Sequence, residues 1–150
     1  MVYIYHSPIG NIYVKCDSSS LVALTFNRLT DDDEAPSLIL SKVIDWLDCY
    51  FAKKTKEIDF SIKLEVSSFQ KEVLDVIKDI PFGQTITYSD IAKRLGLKCC
   101  YQAIGHALKH NPILLIYPCH RVVAKNIKKR YSYNAGEDKK KWLLHFEGVE

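Results

Sequence analysis

The stretch Ile116-Tyr117-Pro118-Cys119-His120-Arg121-Val122-Val123 gathers the groups in this chain best suited to covalent chemistry. A thiol is followed directly by an imidazole and a guanidinium, so a nucleophile, a base and a permanent positive charge occupy consecutive positions. Positive charge and free N–H groups at a helix start favour a thiolate over a thiol, which makes Cys119 a candidate activated nucleophile. Pro118 closes the apolar run Ile113 to Tyr117 and fixes the backbone ahead of the sulfur. The same residues also fit a buried, inert cysteine, the usual fate of a free thiol. Near the other end of the chain, Glu147 is a carboxylate that could reach His120 directly or through a water, with plain surface charge as the competing reading.

The elements that must position these groups fall into two lobes, 1–66 and 67–150, and the fold class is α+β. Val2 to Phe26 alternates and is rich in β-formers, with breaks at Ser7-Pro8-Ile9-Gly10 and at Cys16-Asp17-Ser18-Ser19-Ser20. Two or three antiparallel strands follow from that pattern. The acidic run Asp31-Asp32-Asp33-Glu34 reads as a loop, and Pro36 as the first turn of a helix. Leu40, Val43, Ile44, Leu47, Tyr50 and Phe51 carry that helix to about Ala52, and Phe60 to Val66 reads as a further strand.

In the second lobe Ser67 and Gln70 have the spacing of a capping box, and Phe69, Val73, Val76, Ile77 and Ile80 form one apolar stripe. Pro81-Phe82-Gly83 stops that helix. Thr87 caps a short helix with Asp90 at its third position, and Gly96 ends it. Another helix runs from Cys100 to His110 and is closed by Asn111-Pro112. Helix, Gly-containing turn, helix is the helix-turn-helix pattern, which many helix pairs share without touching DNA. Gln102, His106, Lys109 and His110 lie on one side of the second helix. Ala103, Gly105 and Ala107 leave room there for a large partner or for tight helix packing. A last helix spans about Glu137 to Glu147, with Leu143 and Leu144 facing inward.

Composition narrows the classes. A hydrophobic fraction of 47% and a charged fraction of 26% are ordinary for a globular protein, and no apolar run is long enough for a membrane span. Met1 to His6 lacks the basic start and long apolar region of a secretory signal. Five cysteines without a C-x-x-C pair argue against a disulfide framework and a zinc ribbon, so a reducing cytoplasm, or a nucleus if the source has one, fits best. His106, His110, Cys99 and Cys100 match no common metal-site spacing, and no metal is expected from them. The net charge of +3 is unevenly spread: residues 1–75 hold 8 Lys/Arg against 12 Asp/Glu, residues 76–150 hold 13 against 6. The second half has the footprint of a polyanion-binding lobe, or of a solvated basic face.

Taken together, the second lobe resembles the O6-alkylguanine-DNA alkyltransferases, self-sacrificing direct-reversal DNA repair proteins. The resemblance is collinear. It runs through Ile80-Pro81-Phe82-Gly83, Thr87-Tyr88-Ser89-Asp90-Ile91-Ala92, Ala103-Ile104-Gly105, Lys109-His110-Asn111-Pro112-Ile113, Pro118-Cys119-His120-Arg121-Val122-Val123, Tyr133 and Trp142-Leu143-Leu144 to Glu147-Gly148. It implies a small ribonuclease-H-like sheet with one helix in the first lobe, and a winged-helix-like second lobe holding the active site. It further implies a monomer without a cofactor, acting on double-stranded DNA that bears O6-alkylguanine, with O4-alkylthymine as a further substrate of the family. Cys119 would accept the alkyl group, His120 would deprotonate it through a water, and Glu147 would orient the imidazole. Asn111 would tie the helix-turn-helix to the cysteine turn. Tyr88 would meet a phosphate and protonate the leaving guanine with help from Lys140, while Tyr133 and the Asn134 N–H would face O6. The carbonyls of Cys119 and Val122 would accept from the exocyclic amine, and Gln102, Ala103, Lys109 and Arg121 would complete the DNA contacts.

Two departures from the family pattern stand out. Its usual finger arginine, which fills the space of an extruded base, is replaced by Gln102 after Tyr101. The loop before Tyr133, glycine-rich in the family, reads Asn126-Ile127-Lys128-Lys129-Arg130-Tyr131-Ser132, so Tyr131 competes with Tyr133 for the same role. Two other classes stay open: a lesion-binding protein that recruits repair factors, and a helix-turn-helix regulator with a structural cysteine, which would bind a palindrome as a dimer.

Overall fold

The computed structural model describes residues 1–30, 37–98, 100–125 and 133–149. The chain divides into two compact units, Met1–Glu65 and Val66–Glu150.

In the first unit β1 (Val2–Ser7), β2 (Gly10–Cys16) and β3 (Ser20–Thr25) form an antiparallel meander. The strands alternate because one face is buried: Ile12, Val14, Cys16, Leu21 and Leu24 point into the core. Asp17 shapes the second turn by accepting from the N–H groups of Ser19 and Ser20 at 2.9 and 2.7 Å. Helix α1 (Leu40–Phe51) buries Val43, Leu47 and Tyr50, and the Tyr5 hydroxyl donates to Asp48 on it at 2.6 Å. The helix starts later than its sequence suggests, because Leu38 and Ile39 form a turn closed by the Leu40 N–H on the Ser37 carbonyl at 3.2 Å. Pro36 and the acidic run 31–34 lie outside the described residues. The strand expected over 60–66 shrinks to β4 (Ser61–Ile62), and it pairs parallel to the start of β3. Alternation showed which residues could extend, but not how much partner strand was on offer.

The second unit opens with α2 (Ser68–Lys78), whose Ser67 cap accepts from the Gln70 N–H at 3.1 Å. The return half of the expected capping box is missing. Instead the Gln70 side-chain amide donates to the carbonyls of Ala107 and His110, at 3.1 and 3.0 Å. Those carbonyls sit at the end of α4 (Tyr101–Lys109), where helical partners run out. Gln70 therefore caps a neighbouring helix rather than its own.

Between them, β5 (Ile86–Thr87) leads into α3 (Tyr88–Arg94), and Thr87 and Asp90 form a complete capping box. Gly96, with φ of +72°, closes α3 as the Leu97 N–H reaches the Ala92 carbonyl at 2.8 Å. A single 3-10 turn, Cys119–Arg121, is followed by β6 (Val122–Val123), which pairs parallel to β5 with Ile86 opposite Val122 and Thr87 opposite Val123. This short pairing locks the entry of α3 to the cysteine turn. Helix α5 (Glu137–Phe146) completes the unit, with Leu143 and Leu144 fully buried. Among the described residues no helix is long and apolar enough to cross a membrane.

Candidate active site

The cysteine turn is held by tight backbone turns on both sides. Asn111 accepts from the Ile113 N–H at 3.0 Å, and its amide donates to the Tyr117 carbonyl at 2.8 Å. Leu115 lies in the left-handed region at φ of +68°, unusual for a buried leucine, beneath a bond from the Ile116 N–H to the Leu114 carbonyl of 2.8 Å. Pro118, at φ −80° and ψ 69°, makes an inverse γ-turn in which the Cys119 N–H meets the Tyr117 carbonyl at 2.8 Å. Cys119 is thereby presented from rigid backbone, 4% exposed.

A cavity of about 140 Å³ opens onto Cys119, lined also by Tyr88, Gly105, Leu108, Lys109, Tyr133 and Asn134. The Tyr88 ring lies over Gly105, where an added Cβ would sit in ordinary contact with it at 3.9 Å. Ala107 is core and faces away from solvent, whereas Ala103 is exposed beside Gln102, so only part of the small-residue stripe is available to a partner. The Asn134 amide donates to the Lys109 carbonyl and closes one side of the cavity. Tyr133 meets the His120 ring edge-on at 6.3 Å. Tyr131 and the basic residues 128–130 lie outside the described residues.

Behind the cysteine stands a buried polar network. His120 Nε2 lies 2.6 Å from Glu147 Oε2, and both side chains are inaccessible to solvent. Arg121 grips the same carboxylate with Nε at 2.7 Å and Nη2 at 3.1 Å. Its Nη1 donates to the Ile80 carbonyl at 2.7 Å, and the guanidinium lies over the Phe82 ring at 5.7 Å. Arg121 was grouped with the DNA contacts on sequence; its place is inside the protein, where only a paired guanidinium is stable. The Gly83 N–H adds a long contact of 3.4 Å to Glu147 Oε1. A side chain at Gly83 would put a Cβ 3.1 Å from the Glu147 carbonyl oxygen at a φ of +83°, so this residue does more than stop α2.

These contacts set the charge states. Burial works to raise the Glu147 carboxyl, but hydrogen bonds and charge from His120 and Arg121 outweigh it and hold the group down at about 2. His120 is lowered, chiefly by burial, against the pull of Glu147, and is therefore a neutral imidazole. Because Nε2 donates to the carboxylate, Nδ1 is the lone-pair atom, and among the described residues no partner occupies it. Burial pushes the Cys119 thiol up to about 11, overriding the lowering from Asn111 and from the charge of Lys140. Of the two readings the sequence leaves open at this sulfur, burial favours the thiol at rest: the adjacent guanidinium is paired with Glu147, and desolvation outweighs its charge. Tyr88 is also raised, by burial and then by the charge of Cys119.

Lys140 is fully buried and donates from Nζ to the Val122 carbonyl at 2.6 Å, so that carbonyl already has one donor. Gln102, Lys109 and Ala103 share the exposed side of α4. Among the described residues no cluster of three or more His, Cys, Asp or Glu side chains could hold a metal ion.

The site is thus a cysteine at the floor of a cavity, backed by a buried histidine–glutamate pair and set beside the α3 and α4 helices. Residues 1–66 match the ribonuclease-like domain of 6-O-methylguanine DNA methyltransferase, and residues 68–149 match its DNA binding domain. A methylated-DNA–protein-cysteine methyltransferase of Methanocaldococcus jannaschii is 55% identical over 124 residues, 80% of this chain and 70% of that protein. The crystal structure of Mycobacterium tuberculosis O6-methylguanine methyltransferase superposes with a TM-score of 0.84 at 32% identity, covering 98% of this chain and 93% of that one. The same organism's protein in complex with DNA gives 0.83 at 32% identity, covering 96% and 90%. The chain belongs to the 6-O-methylguanine DNA methyltransferase family.

Proposed function

We propose that this chain repairs DNA by direct reversal, moving the alkyl group of O6-alkylguanine irreversibly onto Cys119 in a single turnover. The observation that carries the reading is Cys119 lining a cavity in front of a His120–Glu147 pair of 2.6 Å, both members sealed from solvent. The Sγ lone pair attacks the alkyl carbon, an S–C bond forms, and the O6–C bond breaks with its electron pair passing to guanine. The thiol proton goes to His120 Nδ1 through a water, and the resulting imidazolium is stabilised by the ionised Glu147. Since burial holds Cys119 as a thiol at rest, near 11, a base is needed to take its proton. Tyr88, on the cavity wall, supplies a proton to the departing guanine, and Lys140 supports the charge there. Tyr133 and Asn134 receive the base.

A base inside a duplex is out of reach of this thiol, so the nucleotide must be extruded, with the exposed side of α4 in the minor groove. The chemistry sits wholly in the lobe from 67 to 150, and the protein works as a monomer. Phosphate contacts dominate, so binding is largely independent of sequence and weakens with salt. O4-alkylthymine presents the same alkyl–oxygen bond and is a secondary substrate.

Intact-mass measurement after mixing with a duplex containing one O6-methylguanine is the direct test. A gain of one CH2, mapped to the Cys119 peptide and absent in Cys119→Ala, is the expected result. Tight binding without a mass change would instead make the protein a lesion sensor.

Gln102 is exposed on α4 where the family carries its finger arginine, and it lacks the charge and reach to hold the gap open. Gln102→Arg is expected to speed transfer from duplex DNA while leaving transfer from the free base O6-benzylguanine unchanged. Equal rates on duplex for the two proteins would remove the finger from the account.

A further inference from the structure

The exposed side of α4 carries two histidines that the alkyl-transfer chemistry does not use. His106 and His110 are one helical turn apart, and their rings lie with centroids 4.1 Å from each other at an interplanar angle of 32°. His110 Nδ1 is 2.9 Å from the His106 backbone carbonyl. A carbonyl only accepts, so Nδ1 carries the proton and Nε2 is left as the lone-pair atom. An imidazole oriented by a backbone carbonyl through one nitrogen, with the other turned outward, is the arrangement that metal-ligating histidines adopt. The four-residue set with Cys99 and Cys100 has no common metal-site spacing, but the two histidines taken alone, at i and i+4 on a helix, have the spacing by which helices chelate a zinc ion.

From this spacing, and with the exposed His106 ring turned out of its stack on His110, we infer that His106 and His110 form a two-imidazole site for a borderline divalent transition metal such as Ni2+, Cu2+ or Zn2+. Imidazole nitrogens suit these ions, whereas Mg2+ and Ca2+ require oxygen donors. The protein supplies two ligands and solvent supplies the rest, which makes the site open and exchangeable rather than structural. Neither the spacing of four-ligand sites nor a third acidic or thiol group is needed for this. A bound ion clamps successive turns of α4, and it places added positive charge beside Lys109 on the same exposed side.

Isothermal titration of untagged, reduced protein with NiCl2 tests the inference, with Ni2+ chosen because it favours imidazole over thiolate. One ion per chain is expected, with affinity weakened about tenfold or more in both His106→Gln and His110→Gln, and unchanged in His6→Gln and His145→Gln. Both α4 positions are exposed, so these variants should keep the fold, as circular dichroism will show. Ni2+ should also raise the thermal midpoint of wild type and not of either α4 variant, because an ion that binds only folded protein stabilises it. Wild-type affinity in His106→Gln or His110→Gln would overturn the site, as would the absence of any stoichiometric binding. None of these readings involves DNA or alkyl transfer, so they stand or fall separately from the repair function.

Discussion

Glu147→Gln is expected to destabilise the protein by about 3–5 kcal/mol, the scale for removing one partner from a buried ion pair. The carboxylate receives Arg121 through two nitrogens and His120 through a third, all away from solvent. A glutamine offers one acceptor oxygen and turns an N–H donor toward a guanidinium that has only donors. Arg121 keeps its bond to the Ile80 carbonyl but becomes a buried charge without a counter-ion. Urea denaturation measures the effect. Adding Arg121→Met should restore part of the loss, since an apolar side chain beside Phe82 needs no partner. Stability within about 1 kcal/mol of wild type in Glu147→Gln alone would mean the network contributes little.

His120→Gln should slow alkyl transfer by about 10²–10⁴-fold, the usual contribution of a positioned general base. The pH dependence should change with it. In wild type burial lowers His120, so the fall in rate on acidification should come at a lower pH than an ordinary histidine would set. Without the base, only the thiolate already present can react. With Cys119 near 11, that fraction rises about tenfold per pH unit, so the variant's rate should climb steeply across pH 7 to 9. A pH-independent residual rate would show that another group takes the proton. Single-turnover kinetics on O6-methylguanine duplex distinguishes these cases.

How much of this was legible in the sequence depended on how local the physics was. The α3 cap at Thr87 and Asp90 and the stop at Gly96 were readable because each involves neighbours within one turn. The hairpin breaks and the apolar stripes were readable for the same reason. Arg121 was misplaced because its partners, Ile80 and Glu147, are distant in the chain, and a guanidinium looks the same whether it faces phosphate or carboxylate. The protonation of Cys119 stayed open in the sequence for a similar reason: adjacent positive charge is visible there, but the burial that outweighs it is not. Gln70 has the spacing of a local cap and serves a distant helix. The β5–β6 pair is two residues long, too short to leave a period.

That same pair has a consequence for the order in which the molecule assembles. Ile86 and Thr87 cannot meet Val122 and Val123 until the intervening helices have closed a long loop, and His120 cannot meet Glu147 until α5 docks. Helices α2, α3 and α4 can form from contacts within their own segments, whereas the reactive centre depends entirely on non-local ones. In folding terms, α2, α3 and α4 should belong to an early nucleus and the cysteine turn to the last structure gained. Mutations at the β5–β6 pair should then speed unfolding while leaving the folding rate nearly untouched. A chain that had folded only α3 and α4 would hold an exposed helix pair with no assembled cysteine turn behind it.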